Sequence, residues 1–268
     1  MSVRNDSRIR SLRRWGQHFL VDTAVLQRIV DYAMLRSGEK VLEVGAGTGN
    51  LTAVLQRSAS KVIAIEKDRV LANLLRRRFH GRSQVEIIEG DVLEISLPTF
   101  DKVVCSPPYY ISSKLIFLLL KRSFSSMTMT LQKEFASRLV AEPGSADYGR
   151  LTVAVQHRAD VELLDLIPRK AFRPVPRVDS YIVKIVPRAR TTVVDENYLD
   201  RMVRHLFSQR KRTLRGVLKH AMNPVMKRSL EDIVRPSALL EKRIFQLTTS
   251  ELENLSNCLC SIQSTFKF

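Results

Sequence analysis

Apolar positions along the chain switch between two spacings. Between residues 21 and 36, Val21, Val25, Leu26, Ile29, Val30, Ala33 and Met34 recur three and four apart, the period of a helix with one buried face. From Lys40 onward, short continuous apolar runs alternate with helical patterns. The spacing predicts strands over 40–44, 61–65, 85–88, 101–105 and 126–131, with helices from about Thr48, over 68–79, from about Ser112 and from about Lys133. Such alternation predicts βαβ units and a parallel, doubly wound sheet whose strands are covered on both faces. After Gly149, LTVAVQHRADVELLDLIP and VDSYIVKIVP predict one helix and two further strands that finish the sheet. Near Pro187 the character changes. RARTTVVDEN is a polar connector, and residues 196–268 carry helical spacings only, in YLDRMVRHLFSQR, RTLRGVLKHAM, LEDIV, SALLEKRIFQL and SELENLSNCLCSIQ. The expected division is an α/β domain over 1–187, with a basic arm over 1–16, and a smaller all-helical domain over 188–268.

In open α/β sheets, ligands sit beyond the carboxyl ends of the strands. Four of those ends carry unusual residues. The first is Glu43-Val44-Gly45-Ala46-Gly47-Thr48-Gly49, where alternate glycines let a backbone approach a ligand closely. A dinucleotide loop needs its third glycine at position 50, which is Asn50. The G-x-G-x-G spacing instead resembles the S-adenosylmethionine loop of class I methyltransferases, a Rossmann-like fold with a mostly parallel seven-stranded sheet. The second end is Glu66, placed to accept the hydroxyls of a ribose, and the third is Gly90-Asp91, placed to accept an adenine amine. Each acid alone reads more readily as a solvated turn residue. Their placement at successive strand ends after a glycine loop selects the cofactor reading.

The fourth end is CSPPYYISS, residues 105–113. Two prolines cannot continue a strand and make a stiff extended turn. A rigid turn beside the donor methyl suits an adenine N6 acceptor. The Ser106 side chain and the Pro107 carbonyl would accept the N6 hydrogens, and Tyr109 would stack on the ring. The nitrogen attacks while neutral, so no general base and no metal are expected.

Charge adds a partner. The chain has 268 residues, with 44 Lys+Arg against 27 Asp+Glu, a net charge of +17 that favours a polyanion. Residues 201–220, RMVRHLFSQRKRTLRGVLKH, contain no acid, and Arg210, Lys211, Arg212 and Arg215 within them are candidate phosphate contacts at the expected domain junction. Arg4, Arg8, Arg10, Arg13 and Arg14 of the arm and Arg76-Arg77-Arg78 are weaker ones. Three cysteines, Cys105, Cys258 and Cys260, make no disulfide framework, and no run is apolar enough to span a membrane. A reducing, cytoplasmic setting and a monomer are the expectations.

Longer blocks carry a closer resemblance. QHFL (17–20), VLEVGAGTGNLT (41–52), SPPYYISS (106–113), LQKEFASRLVAEPGSADYGRLTVAVQ (131–156), AFRPVPRVDS (171–180) and LFSQRKRTLRGVL (206–218) resemble the KsgA-type ribosomal RNA adenine dimethyltransferases. The resemblance implies S-adenosylmethionine-dependent N6,N6-dimethylation of two adjacent adenosines in a hairpin near the 3′ end of small-subunit ribosomal RNA, on a pre-ribosomal particle. It also implies that His18, Leu20, Gly45, Gly47, Glu66, Asp91 and Ser106 touch the cofactor, and that Phe172 faces Tyr109 across the flipped adenine. Serine stands at 106, and histidine at 18, where this family usually has Asn. A non-catalytic assembly factor on the same scaffold and a DNA adenine-N6 methyltransferase are the alternatives.

Overall fold

The computed structural model describes residues 18–188, 195–221 and 238–261. The basic arm and the LEDIV segment lie outside them. By contact the chain divides into two compact units, residues 1–136 with 161–187, and 137–160 with 188–268.

The first unit is built on a seven-stranded sheet of β2 (Lys40–Val44), β3 (Lys61–Glu66), β4 (Val85–Glu89), β5 (Lys102–Cys105), β6 (Ser126–Gln132), β7 (Ala159–Ile167) and β9 (Ser180–Pro187). Their order is β4-β3-β2-β5-β6-β9-β7, parallel from β4 to β6 and antiparallel between β6 and β9. This is the class I methyltransferase fold. Helices α1 (Thr23–Ala33), α2 (Asn50–Leu55), α3 (Arg69–Arg78), α4 (Ser112–Leu119) and α5 (Lys133–Leu139) fall where the apolar spacing put them, give or take two residues at the ends. The exception is α1, which is shorter than its pattern. Asp22 caps its start by accepting from the Ala24 and Val25 amides, and Met34 closes it in the left-handed conformation. Val21 and Met34 therefore fall outside the helix and stay exposed.

Two very short strands were not foreseen. β1 (Phe19–Leu20) pairs antiparallel with β8 (Phe172–Arg173), setting Leu20 opposite Phe172. Two residues carry no detectable period, so only the tertiary fold reveals the pair. It joins the QHFL and AFRPVP segments, which are otherwise far apart in sequence.

A buried cation locks α1 to the sheet. The Lys102 ammonium, at the start of β5, donates to the Ala33 and Met34 carbonyls at 3.1 and 2.7 Å and lies 3.0 Å from Glu39. It satisfies helix-end carbonyls that have no partner within the helix, and its charge suits the negative end of the helix dipole.

The second unit is helical: α6 (Arg150–Gln156), α7 (Glu196–Ser208), α8 (Leu214–Ala221), α9 (Ala238–Glu241) and α10 (Thr249–Ser261). Its core joins Ala141, Tyr148 and Val153 to Leu199, Met202, Leu252 and Leu259. Residues 137–160, assigned by the sequence pattern to the α/β part, group here because their apolar side chains are buried in this core. The Tyr148 hydroxyl is also tied to the Leu247 carbonyl at 2.7 Å.

Removing the Lys102 ammonium leaves two helix-end carbonyls and Glu39 without their buried partner. Lys102→Met is expected to cost about 2–4 kcal/mol, read as a lower denaturant midpoint with an unchanged slope.

Candidate functional site

At the carboxyl ends of β2, β3 and β5 the first unit holds a cavity of about 400 Å³. Its floor is the glycine loop. Gly47 has φ of +58°, and a Cβ there would lie 2.8 Å from the Phe19 ring. Gly45 has φ of +72°, and its Cβ would lie 3.1 Å from Pro108 Cδ, so the loop and the proline turn approach as closely as a glycine permits.

Glu66 holds this loop. It is 4% exposed, and its two carboxylate oxygens accept from the Gly47 and Asp68 amides, both at 2.8 Å. Burial pushes its carboxyl above the ordinary value, against the pull of those amides. Each oxygen keeps a lone pair for a ligand hydroxyl. Asp91 is also at the cavity, but Lys67 holds one oxygen at 2.8 Å and the Leu93 amide holds the other at 2.9 Å. The Lys67 ammonium keeps the Asp91 carboxyl below its usual range. His18, on the opposite wall, donates from Nδ1 to the Pro174 carbonyl at 2.7 Å, since a carbonyl can only accept. Asn50 donates to the Leu20 carbonyl at 3.0 Å and so fastens β1 to the glycine loop.

The expected cofactor residues His18, Leu20, Gly45, Gly47, Glu66, Asp91 and Ser106 all line this one cavity. Pro107, Tyr109 and Phe172 do not. Ser106 Oγ is 2.8 Å from Thr130 Oγ1 on β6. The Thr130 hydroxyl is fully buried and has no other hydrogen-bond partner among the described residues. A buried hydroxyl hydrogen left unbonded is costly, so Thr130 donates. That leaves Ser106 one lone pair and its own hydrogen. The Tyr109 hydroxyl bonds Ser180 at 2.7 Å, and burial holds its phenol above the ordinary value. Its ring stacks near His18 at 6.2 Å between centroids and meets Phe172 edge-on at 6.4 Å and 71°. Phe172 is 1% exposed, so here it lies under Tyr109 and no ring-wide gap separates the two.

Sequence reasoning missed several members. Thr130 and Ser180 are ordinary strand hydroxyls whose partners are distant in sequence. Glu43 stood in the quoted motif, but nothing there marked it as buried. It is 1% exposed, accepts from Thr52 Oγ1 at 2.6 Å, and burial pushes its pKa up to about 8. Burial first, and then the Glu43 charge, also push the Cys105 thiol up.

In the second unit the expected phosphate contacts divide. Arg210 donates to the Ala146 and Ser145 carbonyls at 3.1 and 3.2 Å and stacks on Phe245, and Arg215 pairs with Glu241 at 2.7 Å. Lys211 and Arg212 are exposed, with the Arg212 guanidinium bonded only to the Gln209 side chain among described residues.

The family profile described as "Ribosomal RNA adenine dimethylase" matches residues 9–256. A probable ribosomal RNA small subunit methyltransferase A from Methanosarcina mazei is 41% identical over 253 residues, 93% of each chain. The protein of the same name from Thermococcus onnurineus is 40% identical over 90% of this chain and 89% of its own. Among solved structures, a dimethyladenosine transferase from Plasmodium falciparum superposes with a TM-score of 0.80 at 31% identity, covering 88% of this chain and 95% of that one.

Glu43 generates a pH effect. Its carboxyl holds its proton to about pH 8 when folded but loses it near 4.5 when unfolded. Between those values the folded state binds more protons, so stability falls as pH rises through the window. Glu43→Gln carries no such proton. Its melting temperature relative to the unsubstituted protein is expected to be higher at pH 8 than at pH 5, and equal differences at the two pH values would contradict the buried acid.

Proposed function

The chain belongs to the ribosomal RNA adenine dimethylase family, and we propose that it methylates N6 twice on each of two adjacent adenosines in a hairpin loop near the 3′ end of small-subunit ribosomal RNA. The general reaction, S-adenosylmethionine-dependent dimethylation of adenine in ribosomal RNA, follows from the family. The observation that carries the reading is the convergence of the glycine loop, Glu66, Asp91 and the Ser106 turn on one cavity. Its size and its acceptors suit a nucleoside-bearing cofactor. Bound there, S-adenosylmethionine supplies an electrophilic methyl group on a sulfonium.

In this reading Glu66 accepts from the ribose hydroxyls while bracing Gly47. Asp91 accepts from the cofactor's adenine amine once Lys67 yields an oxygen. His18, Leu20 and Gly45 close the walls. Ser106 Oγ, oriented by Thr130, and the Pro107 carbonyl accept the target N6 hydrogens and turn the nitrogen lone pair toward the methyl group. Tyr109, fixed by Ser180 and by the edge of Phe172, stacks on the flipped base. The methylated nitrogen sheds its proton to solvent, which frees a lone pair for the second transfer. Lys211 and Arg212 are the phosphate contacts of the helical unit, whereas Arg210 and Arg215 mainly hold that unit together. The protein acts as a monomer, in the cytoplasm, on the immature small-subunit particle.

Unmodified small subunits, incubated with labelled donor, should gain dimethyladenosine at two adjacent positions by mass mapping; label in duplex DNA alone would overturn the reading. Tyr109→Ala is expected to lower kcat/KM by roughly 5–150-fold, about 1–3 kcal/mol of stacking, with S-adenosylhomocysteine affinity little changed. Thr130→Val frees the Ser106 hydroxyl to rotate. A roughly 5–10-fold fall in kcat is expected, on the scale of one lost hydrogen bond, with recovery in Thr130→Ser. A Val variant with full rate would remove Thr130 from the site.

A further inference from the structure

A second depression, open and of about 710 Å³, adjoins the cofactor cavity and shares Asp91, Tyr110 and Ile111 with it. Helix α4 forms one side and the turn after β4, with Leu93 and Glu94, forms the other. Three features of it have no structural explanation. Tyr110 follows the target-base tyrosine directly, yet its ring is 64% exposed. Lys114 and Lys121 are both exposed, and neither ammonium makes a hydrogen bond or close ion pair with another described residue, although the Lys114 charge acts at longer range on Asp91. Half-buried Phe117 and Leu118 supply an apolar floor between them.

These lysines contrast with three other cations near the cofactor cavity. Lys67 is bound to Asp91, Arg76 to Glu89, and Arg78 to the Thr48 carbonyl and Asn50. Those side chains are committed to the fold. Lys114 and Lys121 are seven residues apart along one flank, roughly 10 Å by helical rise, which spans one to two nucleotide steps of an extended strand. A flat exposed ring, an apolar floor and two uncommitted ammonium groups in one groove form the chemistry of single-strand nucleic acid binding: bases on the aromatic face, phosphates on the cations.

We propose that this groove seats the single-stranded RNA segment flanking the target adenosine, with a neighbouring base on Tyr110 and consecutive phosphates at Lys114 and Lys121. The inference rests on the reading that the chain acts on RNA. Flipping one base out of a loop leaves its neighbours unstacked, and a second ring beside Tyr109 offsets that loss. The acids do not oppose this placement: Asp91 is neutralised by Lys67, and Glu94 is close enough to act on the same Lys67 charge.

The test uses the full chain saturated with S-adenosylhomocysteine and a labelled, short single-stranded oligoadenylate RNA, followed by fluorescence anisotropy between about 50 and 200 mM salt. Lys114→Gln with Lys121→Gln should weaken binding and flatten the slope of log affinity against log salt by about 1.4, two phosphates at about 0.7 each. Tyr110→Ala should lose about 5–150-fold at an unchanged slope. Calorimetry for S-adenosylhomocysteine and the melting temperature should match the unsubstituted protein in the double variant, which excludes an indirect effect. An unchanged slope and affinity in that variant would overturn the proposal. So would weakened binding to the small-subunit particle with oligoadenylate binding intact, which assigns the groove to a protein. Because binding is read without methyl transfer, a protein that binds as expected but methylates no small-subunit RNA keeps the groove and sinks the functional reading instead.

Discussion

The site depends on one buried carboxylate. Glu66 sits at the end of β3 and holds the amides of Gly47 and Asp68. The Gly47 bond adds to those that the Gly45 and Ala46 amides give the Ile65 carbonyl, and it helps fix a loop whose glycines occupy the left-handed region and lose more conformational freedom on ordering than any other residue. Burial raises the energy of the charge, and the amides lower it. The balance leaves a polar group with unfilled lone pairs facing the recess. The acid that shapes the loop is therefore also the acid that a ribose would meet, and support and recognition cannot be separated at that position.

A second layer of hydroxyls organises the reacting end. Thr130 fixes Ser106, and Ser180 fixes Tyr109, from strands β6 and β9. These two strands are antiparallel neighbours with Gln132 opposite Ser180 and Thr130 opposite Ile182. Both supports thus come from one ladder, whose register sets the relative placement of the Ser106 hydroxyl and the Tyr109 ring. Rigid strands, rather than the turn alone, supply the preorganisation that positioning requires.

The major elements were legible because burial imposes a period. Val62 to Ile65, and Val41 to Val44 apart from the buried Glu43, are covered on both faces and read as apolar runs, and α1 shows its stripe. The residues that line the cavity were legible because strand ends in such sheets gather at one edge. What escaped was non-periodic or relational. β1 and β8 are too short to show a period. Thr130 and Ser180 gain meaning only from partners across the sheet. The arginines failed differently: the letters of 210–215 show charge but not whether a guanidinium is already spoken for, as Arg210 is by two carbonyls and a ring. Residues 137–160 were misassigned because their helix pattern fits either layer, and only the core they enter decides.

The clasp between β1 and β8 bears on the order in which the protein is made. Leu20 pairs with Phe172, so the wall that begins at His18 closes only when the strand far downstream has arrived. A nascent chain that has emerged through β6 already owns the glycine loop, Glu66, Asp91 and the proline turn, but its recess is open on one side. Synthesis must pass Arg173 before that wall is paired, so the recess cannot be complete in a chain that stops short of β8.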